Sequence, residues 1–273
     1  MWTDDCSMAL CLADSLLLND FKLNPLDLRW RFLLWVNCGL NNGGRPYSIG
    51  LGGNISISFE EFWKNPSLKY AEEGDGFNNG NGSLMRMAPA VTAFVDDKKQ
   101  AIEVSEEQSR TTHNGKEASE CCKLLAEILW ELINRDEKKY PNPKEFLLQV
   151  CDNFVSNLPT VECLAKGLQE QKELFEQAAK ENKKFTKFNK SPELDRNWNW
   201  RSKEFTYSET RNKDQPGYIG SYCMDALAMA LFLAYHTDSF YEAALWATNM
   251  GGDSDTVGAI CGQITGAMYG LSR

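Results

Sequence analysis

Helical periodicity recurs along this chain and constrains its fold more than any other feature. Apolar side chains return every three or four residues in five segments, which we predict to be helices: 6–18, 25–35, 118–134, 144–156 and 224–235. Alternation of apolar and polar residues is visible only in 54–59, after a glycine cluster, where it fits a loop or a helix start equally well. With 42% of its residues hydrophobic, the chain has enough apolar surface for a substantial core. The sequence therefore predicts an all-α protein.

The domain organisation follows from length and from one irregular segment. A chain of 273 residues fits one large domain or two small ones, and we expect a single domain spanning 1–273. Residues 180–215 are rich in Lys, Asn, Arg and Trp and lack helical periodicity, which indicates a long loop or insertion. Trp198 and Trp200 in this segment either fold it onto the core or line a binding surface.

Charge and cysteine usage exclude several classes of protein. The formal net charge of -9 argues against binding nucleic acid through phosphate neutralisation. The nine cysteines include no CxxC pair, so neither a zinc knuckle nor a disulfide framework is indicated, and a reducing compartment fits best. No apolar run is long enough for a signal peptide or a membrane span. We expect a monomeric cytoplasmic protein that binds neither nucleic acid nor membranes.

Two short acidic clusters stand near the two ends of the chain. Their carboxylate and hydroxyl oxygens suit Mg²⁺, Ca²⁺ or Mn²⁺ and belong to Thr3, Asp4, Asp5, Asp253, Asp255 and Thr256. An aspartate pair ahead of a helix also serves as a cap for free amide groups. The second cluster follows Gly251-Gly252 and would crowd negative charge unless a cation neutralised it. Taken alone, each cluster leaves the capping role and the metal role open.

The segment after Thr256 contains a glycine at every fourth position. Glycines at 258, 262, 266 and 270 would share one face of a helix and permit very close helix packing. If that face packed against the first helix, the two acidic clusters would meet at the helix amino termini. One site would then draw on both ends of the chain.

Four motifs in this order resemble the ADP-ribosylglycohydrolase family. They read TDDCSMAL, NGNGSLMRMAPAV, TTHNGKEA and NMGGDSDTVGAICG, they span nearly the whole chain, and the last is the most specific. The resemblance implies a compact orthogonal multi-helix bundle that holds two metal ions, magnesium or manganese, and binds ADP-ribose. The implied reaction is hydrolysis at the anomeric carbon of the distal ribose, which releases ADP-ribose from an ADP-ribosylated protein or a related conjugate.

The resemblance also assigns roles to individual residues. The six residues of the acidic clusters are the implied metal ligands, and Asp255 is the one shared by both ions. Asp4, Asp5 and Asp255 are the candidate catalytic carboxylates that would take a proton from the attacking water. The candidate ligand contacts lie in the two middle motifs, together with Phe77 just ahead of them, whose ring suits stacking on a ribose or base: Phe77, Gly80, Asn81, Gly82, Ser83, Met85 and His113.

The residues of the middle motifs are also compatible with purely structural roles. The turn at 80–83 precedes an apparent helix at Leu84, where backbone amides often meet a phosphate, but it is also compatible with a plain loop. His113 fits a helix cap or a surface residue as well as a ligand contact. Arg86 fits a phosphate contact or a partner for a buried carboxylate.

The chain departs from the family pattern in three places, and these departures keep alternatives open. Relatives carry a Gly-Asp-Ala-x-Gly segment ahead of the first motif and an Asp where this chain has Ser48, and Thr is common at the position of Cys6. The segment ahead of the first motif also brings an acidic residue close to the scissile bond in relatives. Three acidic residues of this chain are candidates to take its place: Glu72, Glu73 and Asp75. A non-catalytic ADP-ribose binder or crystallin-like relative, and an unrelated metal-dependent phosphohydrolase, are therefore alternatives to the hydrolase.

Overall fold

The computed structural model describes residues 2–74, 78–167, 198–203, 205 and 220–270. Over these residues the chain is helical and contains no extended strand, which confirms the all-α prediction. Its helices are α1 Asp4–Leu18, α2 Pro25–Cys38, α3 Gly53–Lys64, α4 Ala88–Ala93, α5 Lys98–Arg110, α6 Lys116–Ile133, α7 Pro143–Asn153, α8 Pro159–Lys166, α9 Cys223–His236, α10 Phe240–Asn249 and α11 Ser254–Tyr269.

The chain divides into two compact units, Met1–Trp130 and Glu131–Arg273, and the division falls within α6. The expectation of a single domain stays a prediction. Most of the insertion predicted at 180–215 lies outside the described residues.

The first unit is built from α1 to α5 and most of α6. Helix α1 packs against α2 and α4, α4 packs against α5, and α2 packs against α3. Helix α2 begins where the Asn24 side chain accepts a hydrogen bond from the Asp27 amide, and Pro25 occupies the first turn, where a missing N–H costs nothing. It ends at Gly39, whose φ of +71° is the left-handed conformation that glycine adopts readily. These boundary signals fix the length of the helix that packs against α1.

The ambiguous segment 54–59 is helical. It lies within α3, which buries Ile55, Phe59 and Phe62, residues spaced by four and three positions. Ile57, which produced the alternating pattern, is 49% exposed. Helical spacing of the buried residues therefore decides the conformation, and the apparent alternation arises from one exposed isoleucine.

The second unit contains α7 to α11 and the end of α6. Helix α11 packs against α10, α9 and α7. Helix α9 buries eleven of its fourteen residues, among them Asp225, and forms the most apolar element of this unit. Trp200 lies fully buried and donates from Nε1 to the Leu164 carbonyl at 2.7 Å. Trp198 is also buried, so both tryptophans serve the core of this unit.

None of the helices in the described part of the chain has the combination of length and hydropathy needed to cross a bilayer.

Candidate metal and ligand site

The first acidic cluster forms the start of α1. The helix begins at Asp4, so the aspartate pair occupies its first turn instead of preceding it. Thr3 is the N-cap residue in extended conformation, but its side chain makes no capping hydrogen bond. Its hydroxyl donates instead to Oδ2 of Asp5 at 2.6 Å. The threonine therefore orients the aspartate, and the helix dipole favours the negative charge there.

Both carboxylates of this cluster are withdrawn from water. Asp4 is 6% exposed and Asp5 is 4% exposed. Two adjacent buried carboxylates repel each other and lose hydration, and a divalent cation relieves both costs. Hard oxygen donors in such a setting are the ligands that Mg²⁺ and Mn²⁺ prefer. The donor set of the first cluster thus fits a magnesium-type ion.

The second acidic cluster forms the start of α11. Gly251 and Gly252 have φ values of +76° and +65°, and this left-handed pair turns the chain into the helix. Asp253 is the N-cap residue and makes no side-chain capping bond. Asp255 is exposed in the first turn, and Thr256 is buried. The arrangement at Asp253 is therefore not that of an ordinary capped helix start.

The glycine face of α11 lies against α10. A Cβ added to Gly258 would sit 3.8 Å from Cβ of Ala247, and one added to Gly262 would sit 3.7 Å from Cε2 of Phe240. Gly270 ends the helix with a φ of +66°. The small residues thus bring two helices of the second unit close together, which holds the start of α11 in place.

The turn at 80–83 does not lead into a helix at Leu84. Residues 82–86 form successive turns, and the next helix, α4, begins at Ala88. A helix running from Leu84 through Pro89 would lose the amide donor at Pro89, which explains the later start. The amides of Leu84 and Met85 both donate to the Asn81 carbonyl, at 2.9 and 3.3 Å. The predicted helix amino terminus at Leu84 was therefore wrong.

Polar side chains of the turn face the interior. Ser83 is fully buried, and its hydroxyl accepts from the Ser109 hydroxyl at 2.8 Å. The Ser83 carbonyl accepts from Nε2 of Gln108 at 2.9 Å. Asn81 and Met85 are each 5% exposed. These bonds anchor the turn to α5, a role that sequence reasoning did not assign to Gln108 because glutamine on a polar helix carries no signal of burial.

Arg86 is buried beneath this turn. Its guanidinium donates to Oε1 of Gln108 at 2.8 Å and to Oγ1 of Thr112 at 2.9 Å, and lies 4.5 Å from the ring centroid of Phe32. Burial lowers the pKa of Arg86 to about 9, and the Asp4 carboxylate is among the groups that act in the opposite direction. Among the described residues these hydrogen bonds go to neutral oxygens and not to a carboxylate, and the phosphate contact considered for Arg86 stays a prediction. The charge anchors neutral oxygens of the first unit and places positive potential near Asp4.

His113 lies directly under the same turn. It is 2% exposed, and its Nδ1 lies 2.8 Å from the Thr112 hydroxyl. That hydroxyl accepts from Arg86, which leaves its proton free to bond Nδ1 of the ring, and on this basis we assign the ring's own proton to Nε2. Burial, followed by the charge of Arg86, lowers the pKa of His113 to about 3. The ring is a neutral donor whose Nε2 faces Gly80 and Gly82.

Some of the remaining predicted residues are described by the structure and others are not. Phe77 and Asp75 lie outside the described residues. Glu72 follows a segment that the Asn114 side chain holds by donating to the Ala71 carbonyl at 2.8 Å. In the first unit the structure thus brings together Gly80, Gly82, Ser83 and His113.

Comparison with known proteins gives a consistent result. The family described as ADP-ribosylglycohydrolase matches residues 1–273. The ADP-ribosylarginine hydrolase Tri1 of Pseudomonas putida (strain GB-1) is 28% identical over 272 residues, covering 99% of this chain and 59% of that protein. The protein of the same name from Serratia proteamaculans (strain 568) is 29% identical, covering the whole chain and 60% of that protein. This chain therefore spans about three fifths of the length of these two relatives.

Two further proteins extend the comparison. The ADP-ribosyl-[dinitrogen reductase] glycohydrolase of Rhodospirillum rubrum is 23% identical over 269 residues, covering 98% of this chain and 69% of that protein. A solved structure titled ADP-ribosylglycohydrolase-related protein complex superimposes with a TM-score of 0.64 at 29% identity, covering 99% of this chain and 72% of the other.

Proposed function

Because the chain belongs to the ADP-ribosylglycohydrolase family, we propose that it is a metal-dependent hydrolase that releases ADP-ribose from ADP-ribosylated protein side chains. The observation that carries this proposal is the family match over 1–273, which includes all four motifs. The buried carboxylates of the first cluster supply a second, physical support.

We propose that Thr3, Asp4 and Asp5 share two magnesium or manganese ions with Asp253, Asp255 and Thr256. Support comes from the donor chemistry, which is carboxylate and hydroxyl throughout. It comes also from the first cluster, where the Thr3 hydroxyl fixes Asp5 and both carboxylates are buried. When bound, such ions supply Lewis acidity at oxygens of the sugar and of water.

The chain's own residues divide the remaining work. As water attacks the anomeric carbon, the bond from that carbon to the protein side chain breaks, and a carboxylate among Asp4, Asp5 and Asp255 accepts the proton of the water and returns a proton to the departing side chain. The turn at 80–83 and Nε2 of His113 offer neutral donors for the phosphates or ribose of the ligand. Such neutral groups can donate hydrogen bonds to an anionic ligand without first taking up a proton.

Arginine-linked ADP-ribose is the first substrate to test, since two relatives carry the name ADP-ribosylarginine hydrolase. The protein is incubated with arginine-linked and serine-linked ADP-ribosyl peptides, and released ADP-ribose is measured chromatographically. We expect release from at least one linkage, with arginine preferred. Tight binding of ADP-ribose without release from either peptide would favour a non-catalytic binder, and release of phosphate from simple esters would favour a phosphohydrolase.

We further propose that the protein acts as a monomer in the cytoplasm. All nine cysteines are free thiols, and seven of them are buried, which suits a reducing compartment. Sedimentation of the purified protein tests the monomeric state.

A further inference from the structure

We infer that Gly50 is a positioning residue for the Asp4 carboxylate, an inference that rests on the metal site of the proposed function. Gly50 has a φ of +89°, and its backbone lies against the first turn of α1. A Cβ at this position would sit 2.2 Å from Oδ1 of Asp4 and 2.9 Å from its Cγ. Real Cβ atoms do not approach other atoms this closely, so the absence of a side chain at residue 50 leaves the room that the carboxylate occupies.

The clash cannot be relieved cheaply. A Cβ on residue 50 would meet both Cγ and Oδ1 of Asp4 and would lie 3.5 Å from the Asp4 backbone nitrogen. Aspartate is short, so moving Cγ away requires a different rotamer or a shift of the helix start. Because Asp4 is 6% exposed, neighbouring atoms restrict alternative rotamers. A side chain at residue 50 would therefore displace the carboxylate itself.

The loop that carries Gly50 is tied to the residue range just before Asp4. The guanidinium of Arg45 donates to the Trp2 carbonyl. The Trp2 indole donates from Nε1 to the Asn41 carbonyl at 3.1 Å, and Asn41 donates to Asp14 of α1 at 2.9 Å. Loop 39–50 is thus hydrogen-bonded to the chain both before and after the first cluster. These bonds fix the loop at residues 41 and 45, and Gly50 follows the second of them by five residues.

This placement has a consequence for metal affinity. Metal sites require ligands within about 0.5 Å of the productive geometry, and groups that orient a ligand typically change affinity by about 10–100-fold when altered. Gly50→Ala should therefore weaken binding of Mg²⁺ or Mn²⁺ by about 10–100-fold. Its effect acts through Asp4, since glycine itself offers no side-chain ligand.

Gly44 provides a matched control. Its φ of +80° is close to that of Gly50, but a Cβ added there meets nothing within 4 Å. Gly44→Ala therefore carries a similar backbone strain without contact to Asp4. Mn²⁺ affinity of the full chain is measured by calorimetry for wild type and both variants. We expect Gly44→Ala to bind like wild type and Gly50→Ala to bind about 10–100-fold more weakly.

A double-mutant cycle tests the inference without any metal. Asp4→Ala removes Cγ and both carboxylate oxygens, which are the atoms that a Cβ at residue 50 would strike first. In the Asp4→Ala background, Gly50→Ala should lower the melting temperature no more than Gly44→Ala does. In the wild-type background it should lower the melting temperature more or prevent folding.

The outcomes separate this inference from the proposed function. Equal Mn²⁺ affinity of Gly50→Ala and wild type, or a cycle in which Asp4→Ala gives no relief, would overturn the positioning role alone. Metal binding by wild type without release of ADP-ribose would overturn the proposed activity alone. Absence of Mn²⁺ binding by wild type would overturn both.

Discussion

The ring of His113 lies directly beneath Gly82, so that a Cβ on Gly82 would meet Cε1 of the ring at 2.8 Å. The same ring limits Gly80, where a Cβ would sit 3.0 Å from Cδ2. A histidine in the third motif thus lies against two glycines in the second. The relationship links the candidate ligand turn to a residue whose protonation state is set by burial.

Gly82→Ala should disturb the turn because the new methyl group overlaps the His113 ring. We expect at least a tenfold loss of ADP-ribose affinity in calorimetry, since the turn must move away from its anchoring bonds. Gly53→Ala is the control, because a Cβ there meets nothing within 4 Å. Equal affinity of the two variants would contradict the packing role of the ring.

The pH dependence of folding should report His113. Burial lowers its pKa from 6.5 to about 3. Between these values the unfolded chain binds a proton that the folded chain does not, so stability falls as the pH falls below 6.5, by at most ~1.4 kcal/mol per pH unit. Above pH 7 this histidine contributes no pH dependence.

Urea unfolding of His113→Gln at pH 7.5, 6.0 and 5.0 tests this expectation. The variant should lose less stability on acidification than wild type does. His236→Gln is the matched control, since His236 is the other histidine of the chain and its pKa is lowered, chiefly by burial, while its side chain stays partly exposed. The same slope for wild type and His113→Gln would show that His113 is not held neutral.

Arg86→Lys should destabilise the first unit strongly. Lysine cannot reproduce the separate bonds of the guanidinium to Gln108 and Thr112, and each hydrogen bond to a charged group contributes about 1.5–3 kcal/mol. We expect a loss of at least ~3 kcal/mol in the free energy of unfolding. Arg31→Lys, which alters an ion pair with Asp27 one turn away, should cost less than ~1 kcal/mol. Similar losses in the two variants would argue against the anchoring role of Arg86.

Thr3→Val should weaken metal binding because it removes the hydroxyl that donates to Asp5. Thr3→Ser retains the hydroxyl and serves as the control. Calorimetric titration with Mg²⁺ should give weaker binding for the valine variant, by about 10-fold or more, and near-wild-type binding for serine. A valine variant that binds Mg²⁺ like wild type would remove Thr3 from the metal site.

Sequence periodicity predicted the helices that carry a continuous apolar face. The periodicity predicts a helix at 118–134, and α6 runs over Lys116–Ile133 because buried residues recur along its whole length. Helix α3 was ambiguous because Ile57 interrupts the helical pattern with an exposed apolar side chain. Polar helix α5 was not predicted because the bonds that Gln108 and Ser109 make at its end depend on tertiary contacts.

The sequence predicts which residue types form the candidate site, but it predicts less well how these residues pack together. The acidic clusters stand out in the sequence because several hard oxygen donors fall within four positions. The burial of His113 and the contact of Gly50 with Asp4 carry no local signal, because each depends on a segment distant in sequence. The prediction of a helix starting at Leu84 was wrong because Pro89 lacks an amide donor. This signal is visible in the sequence.

The central claim, that the acidic clusters bind the metal ions on which hydrolysis depends, is tested most directly by the metal dependence of ADP-ribose release. Release from an arginine-linked peptide is measured for the purified protein before chelation, after chelation and after addition of Mg²⁺, beside an Asp255→Ala variant. We expect chelation to abolish release, Mg²⁺ to restore it, and the variant to remain inactive throughout. Release that survives both the chelator and the substitution would contradict the account.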